Sequence, residues 1–154
     1  MNAAAELLGL LRDRGETVAT AESLTAGLLA VTLTDVPGAS DVVRGGLIVY
    51  ATDLKERLAG VDAELLTRGG AVQPAVAEQL ATGARERCAA TWGVGLTGVA
   101  GPDPQDGAEP GTVHLGFAGP NGTNVLSTKL AGDRAGVRAA AVRVALEHFT
   151  TVLR

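Results

Sequence analysis

Helical and extended periodicities alternate along this chain, and that alternation constrains its fold more than any other feature. Residues 2–14 place Leu7, Leu8, Leu10 and Leu11 on one helical face, with Gly15 as a stop. A β-prone run at 17–21 follows. Apolar positions then recur at helical spacing from Leu24 to Thr34, until "DVPGAS" ends them with a proline and a glycine. "DVVRGGLIVYA" reads as extended chain in which Gly45-Gly46 permits a bend or bulge before Leu47–Tyr50. Thr52 is expected to cap a short helix through Leu58, a further helical turn is expected near 62–68, and Pro74 suits the first position of a helix reaching about Ala90. "WGVGLTG" is a short apolar strand. "TVHLGFAG" and "TNVLSTKL" flank "PNG", where Asn121-Gly122 predicts a hairpin turn. Asp133 caps a final helix over 134–152 that carries Val137, Ala141, Val144 and Leu146 on its buried face. The order α-β-α-β-α-α-β-β-β-α predicts an α/β fold, a three-layer α/β/α sandwich with a mixed sheet of about five strands.

A chain of 154 residues fits one domain, residues 1–154, and can bury a sizeable core. No apolar run approaches the roughly 20 residues that span a bilayer. "MNAAAELLGLLRDRG" lacks a basic stretch before its apolar part and carries Glu6, so it reads as an amphipathic helix rather than a signal peptide. A cytoplasmic location with no membrane partner is therefore expected. With 13 Lys+Arg against 17 Asp+Glu, a net charge of −4 and no basic cluster, the composition argues against nucleic acid and for a small-molecule partner. The single cysteine, Cys88, allows neither an internal disulfide nor a thiolate metal site, and reads as a helix-packing residue.

Two strand ends, at "AESLTAG" and "LTGVAGP", run into hydroxyl-and-glycine segments, and open α/β sheets bind ligands outside the carboxyl ends of their strands. Neither segment has the glycine spacing of a nucleotide-binding loop, and a G-x-S-x-G elbow is absent. Two uses fit Ser23: it caps the following helix, or its hydroxyl stands beside bare helix N–H groups where anions and reacting carbonyls are held. A serine nucleophile needs a base. His114 lies mid-strand and His148 in the last helix, so both read as structural.

Lysine is scarce, at Lys55 and Lys129 only, in a chain that otherwise uses arginine. Arginine cannot give up its proton, whereas a desolvated lysine can. For Lys55 to act as a base near neutrality its pKa must fall about three units from roughly 10.4, a cost on the order of 4 kcal/mol. The competing reading is a solvated helix lysine paired with Asp53 or Glu56. Residues 98–111 are too rich in glycine, proline and acids for regular structure, and loops of that length in compact domains are often functional.

Six blocks, "TVATAESLTAGLLAVTLTDVPGAS", "GGLIVYATDLKERLAGV", "GGAVQPAVAEQLA", "LTGVAGP", "GTVHLGF" and "GDR", follow one another as in the C-terminal domain of competence/damage-inducible protein CinA. That domain also occurs alone as nicotinamide mononucleotide deamidase of the PncC type. The resemblance runs over roughly residues 5 to 152 and implies a three-layer fold similar to the anticodon-binding-domain architecture. It implies a metal-independent, cofactor-free amidohydrolase that converts nicotinamide mononucleotide and water to nicotinate mononucleotide and ammonia, and it implies a homo-oligomer. On this resemblance Ser23 is the nucleophile, Lys55 its base and Tyr50 a proton-relay or positioning hydroxyl. Thr25, Ala26, Gly27, Thr97, Gly98 and Gly101 fall in the substrate-binding segments. Arg134, at the start of the last helix, is a candidate for the substrate phosphate, with a solvent-facing arginine as the alternative; Arg44 is a further phosphate candidate. Oxyanion donors are sought in the backbone at Leu24–Ala26 or Gly98–Ala100. Against the family's usual A-E-S-C-T-G-G this chain has Leu24 for the cysteine and Ala26 for the first glycine, and Gln73 stands where a serine often follows G-A-V. A function from another class is a catalytically silent nucleotide- or protein-binding module linked to competence or DNA-damage responses.

Overall fold

The computed structural model describes residues 2–154. Helix α1 (Ala3–Arg14) starts where the Asn2 side chain accepts the Ala5 N–H and stops where Gly15 turns left-handed. Strand β1 (Val18–Glu22) leads through a turn into α2 (Leu28–Thr34), and a 3-10 turn at Ala39–Asp41 precedes β2 (Val43–Ile48). Three helices follow, α3 (Thr52–Ala59), α4 (Ala63–Gly69) and α5 (Pro74–Arg87), then β3 (Trp92–Gly98), β4 (Thr112–Gly119), β5 (Gly122–Lys129) and α6 (Arg134–Leu153).

The five strands form one mixed sheet in the order β2-β1-β3-β4-β5, with β1 parallel to β2 and β3 and the last three strands antiparallel. Helices α1, α2 and α6 bury their apolar faces with Val18, Val94, Leu96, Leu115 and Phe117 on one side of the sheet. Helices α3, α4 and α5 pack with Ala19, Ala21 and Val49 on the other. This is the expected three-layer α/β/α sandwich, and its topology carries β1 and β3 side by side so that their carboxyl ends open at one edge.

The α5 layer lies close on the sheet because two glycines of β3 face it. A Cβ on Gly93 would stand 1.9 Å from the Ala81 carbonyl oxygen, and one on Gly95 2.4 Å from that of Ala77. The bulge expected at the glycine pair sits between the pairs Val18–Val43 and Ala19–Gly45, leaving Arg44 as the extra residue. The hairpin turn differs from expectation by one position: Gly119 pairs with Gly122, so Pro120-Asn121 form the loop and Gly122 already belongs to β5. As the first central residue of this loop Pro120 fixes φ negative, which excludes a type I′ turn for Pro120-Asn121. Both histidines are held at the surface, His114 Nδ1 by Ser127 Oγ and His148 Nε2 by Asn124 Oδ1, each at 2.8 Å. No helix is long and apolar enough to cross a membrane among the described residues.

Candidate active site

Side chains of a strand alternate between faces, and in β1 this sorts the site. Val18, Thr20 and Glu22 point toward α1, α2 and α6, whereas Ala19 and Ala21 point toward α3 and α5. Ser23 continues the second set, and its N–H still donates to the Leu96 carbonyl at 2.9 Å, so the residue remains tied to β3. Ser23 is 8% exposed. It does not cap a helix: α2 begins at Leu28, four residues later than expected, with Gly27 at its N-cap and no side-chain cap bond. The intervening turn closes through Ala26 N–H to the Ser23 carbonyl and Leu28 N–H to that of Thr25, with Ala26 and Gly27 at φ 48° and 98°.

The bare helix N-terminus expected beside Ser23 is likewise occupied. The Glu22 carboxylate accepts the Leu29 and Ala30 N–H groups at 2.9 and 3.0 Å, which satisfies the first turn of α2 from within the fold. The N–H groups of Leu24 and Ala100 are among the backbone donors on the cleft wall that have no acceptor among the described residues. Ala26 and Val99 are not available, since their N–H groups bond the carbonyls of Ser23 and Thr112.

Lys55 sits on α3 and is 1% exposed, so the solvated-lysine alternative does not hold. Its Nζ donates to the carbonyls of Val49 at 2.8 Å and Tyr50 at 3.2 Å. Asp53 turns instead to Arg57, at 3.9 Å. Among the described residues Lys55 has no salt bridge and no hydrogen bond to Ser23. Burial pulls its pKa down from 10.5 to about 8, with the Asp106 charge opposing the fall. Two carbonyl acceptors account for two of the three positions on the nitrogen, and the third is where a lone pair or a transferred proton resides. The Val49 N–H in turn donates to the Glu22 carbonyl at 2.9 Å, so one residue links the lysine nitrogen to the strand end that carries Ser23.

A cleft of about 340 Å³ opens at this sheet edge, walled by Ser23, Leu24, Tyr50, Ala71, Thr97, Gly98, Ala100, Gly101 and Arg134 among others. Thr97 Oγ1 donates to the Ala71 carbonyl at 2.7 Å, and the Asp106 carboxylate accepts the Ala71 N–H at 3.0 Å, which fastens the long loop to the α4–α5 connection. Arg134 donates to the Gly101 carbonyl and to the Tyr50 hydroxyl oxygen, both at 2.7 Å. Tyr50 is 57% exposed and, as the acceptor, keeps its own proton free to donate.

The structure therefore gathers Ser23, Tyr50, Thr97, Gly98, Gly101 and Arg134 on one cleft, with Lys55 buried on the same side of the sheet. Arg44 does not join them. It lies at the opposite end of β2, beside Val18, where its Nε donates to the Cys88 carbonyl at 2.6 Å. Thr25, Ala26 and Gly27 do not line the cleft; they form the turn behind its wall, and Thr25 Oγ1 donates to Glu22 at 2.6 Å. Sequence reasoning missed Glu22, whose signal was an acid on the same strand face as Val18 and Thr20. It also missed Arg138, one helical turn after Arg134, which donates to the Leu24 and Thr25 carbonyls at 3.0 and 3.3 Å.

A family model of the CinA C-terminal domain matches residues 1–153. A CinA-like protein of Frankia casuarinae is 52% identical over 147 residues, which cover 96% of this chain and 34% of the relative. One from Anaeromyxobacter sp. strain K is 50% identical over 145 residues, 94% of this chain and 36% of the relative. The chain thus spans about a third of the length of these curated relatives. Among solved structures, a CinA superfamily protein from Klebsiella pneumoniae is 27% identical with a TM-score of 0.95, covering 99% of this chain and 98% of the other. Competence/damage inducible protein CihA from Agrobacterium tumefaciens is 38% identical with a TM-score of 0.90, covering 100% and 98%.

Proposed function

This chain belongs to the CinA C-terminal domain family, and on that premise we propose that it is an amidohydrolase that hydrolyses the carboxamide of nicotinamide mononucleotide by a serine–lysine mechanism. The observation that carries the reading is Lys55: a buried amine with no salt bridge among the described residues, its pKa lowered to about 8, on the side of the sheet that the alternation of β1 assigns to Ser23. A structural lysine has no need of such a site, whereas a general base does.

In this mechanism neutral Lys55 takes the proton of Ser23 as the Oγ attacks the carboxamide carbon. The Leu24 and Ala100 N–H groups, unpaired on the cleft wall, are the donors offered to the developing oxyanion. Protonated Lys55 then returns the proton to the leaving nitrogen, ammonia departs, and the neutral amine activates the water that releases nicotinate mononucleotide. In this reading Arg134, held by Gly101 and Tyr50 at the cleft, binds the substrate phosphate, supported by its two hydrogen bonds to neutral oxygens there.

The test is ammonia release from nicotinamide mononucleotide by the purified chain. Ser23→Ala and Lys55→Met should each abolish turnover in proteins that still fold. A folded parent that binds the nucleotide yet releases no ammonia on either side of the Lys55 pKa overturns the reaction and favours a silent binding module.

A further inference from the structure

Ser23 Oγ has no hydrogen-bond partner among the described residues, so nothing but its backbone aims it. That backbone is sewn in on the strand side: the Glu22 carbonyl accepts from Val49 and the Ser23 N–H donates to Leu96. On the helix side the chain leaves the sheet through a turn whose last two residues are left-handed. What spans this gap is the Glu22 side chain. Its carboxylate, 1% exposed, accepts from Thr25 Oγ1 and Leu29 N at Oε1 and from Ala30 N and Thr20 Oγ1, the last at 3.3 Å, at Oε2. Four donors converge on an acceptor-only group, and they come from the strand before Ser23, the turn after it and the helix beyond.

We propose that Glu22 is the positioning residue of the nucleophile: its carboxylate locks the turn after Ser23 onto the strand before it, and so sets the direction of the Ser23 hydroxyl. The proposal rests on the reading of Ser23 as a nucleophile. A reacting atom displaced by about 1 Å costs on the order of 100-fold in rate, so loss of the lock should appear in kcat rather than in substrate affinity. It also assigns Thr25 to the lock and not to the substrate, because its hydroxyl is spent on Glu22 and it lies off the cleft wall.

Glu22→Gln keeps the shape but turns one oxygen into an N–H donor, and each oxygen faces one backbone N–H that cannot rotate away. The variant should lower kcat by about 10- to 100-fold with KM within about twofold of the parent. Thr25→Val, which removes the shortest of the four bonds and serves if Glu22→Gln does not fold, should lower kcat about tenfold at unchanged KM, and Thr25→Ser should regain it. Hydrogen exchange at the Leu29 and Ala30 amides should quicken in the impaired variants while exchange in β3 and β4 does not. Folded variants with kcat within twofold of the parent, a loss expressed in KM, or unchanged exchange at Leu29 and Ala30 overturn the proposal. The exchange measurement needs no turnover, so a parent without amidase activity sinks the proposed reaction and still leaves the lock to be judged.

Discussion

Arg134 and Tyr50 stand 84 residues apart in the chain and meet at the cleft, the guanidinium donating to the phenol oxygen at 2.7 Å. A second nitrogen of the same guanidinium donates to the Gly101 carbonyl, so the cation is oriented by neutral oxygens and has no salt bridge among the described residues. Such a group favours an anion. Arg134→Met should raise KM for nicotinamide mononucleotide by about 10- to 100-fold, the value of one charge-assisted hydrogen bond at about 1.5–3 kcal/mol. The nucleoside lacking the phosphate should be turned over equally by parent and variant, and a matching KM loss for that compound would refute the assignment.

The pH dependence of turnover follows from Lys55. The neutral amine is the reactive form, so kcat/KM should rise with pH through an apparent pKa near 8 and level off above it. The Asp106 charge holds that pKa up. Asp106→Asn retains an oxygen for the Ala71 N–H, and it should shift the rising limb toward lower pH. A limb that stays in place or moves upward contradicts the electrostatic role given to Asp106.

Lys55 also links stability to pH. Its folded pKa lies near 8 and its unfolded value near 10.5, so between them the unfolded chain binds more protons. Stability contributed at this site therefore rises with pH across that window, is flat below it where both states are protonated, and is flat above it where both are neutral. The melting temperature of the parent minus that of Lys55→Met should accordingly climb from about pH 8 to about pH 10.5, whatever its starting sign. Subtracting the variant removes the titration of the other groups.

Opposite signs are expected at two small residues. Gly93→Ala drives a methyl into the Ala81 carbonyl and should destabilise the fold by about 1–3 kcal/mol or more. Ala26 is exposed and left-handed at φ 48°, a conformation that costs a residue with a Cβ about 1–2 kcal/mol. Ala26→Gly relieves that strain against a smaller entropic loss and should stabilise by about 0.5–1 kcal/mol. Thermal unfolding distinguishes the two, at about 2–4 °C per kcal/mol for a chain of this size.

How much of the site was legible differs from residue to residue. Ser23, Thr97 and Arg134 stand at the ends of elements whose periodicity is plain, and a strand end or helix start is where open sheets place ligand contacts. Arg44 failed because its position at a bulge on the far end of β2 depends on register, which a run of extended residues does not encode. The start of α2 was misplaced because Leu24 is apolar and helix-compatible, while the competing bonds from Glu22 to Leu29 and Ala30 are tertiary.

By itself the sequence determined the element order, the layer arrangement and the strand end that bears Ser23, because those follow from the spacing of apolar residues and the placement of glycine and proline. Only the tertiary structure decided that Lys55 is buried with no salt bridge among the described residues, that Glu22 grips the first turn of α2, and that Arg134 reaches Tyr50. Each of these depends on which residues from distant segments share a side of the sheet and how far water is excluded there, and desolvation has no local signature in a chain.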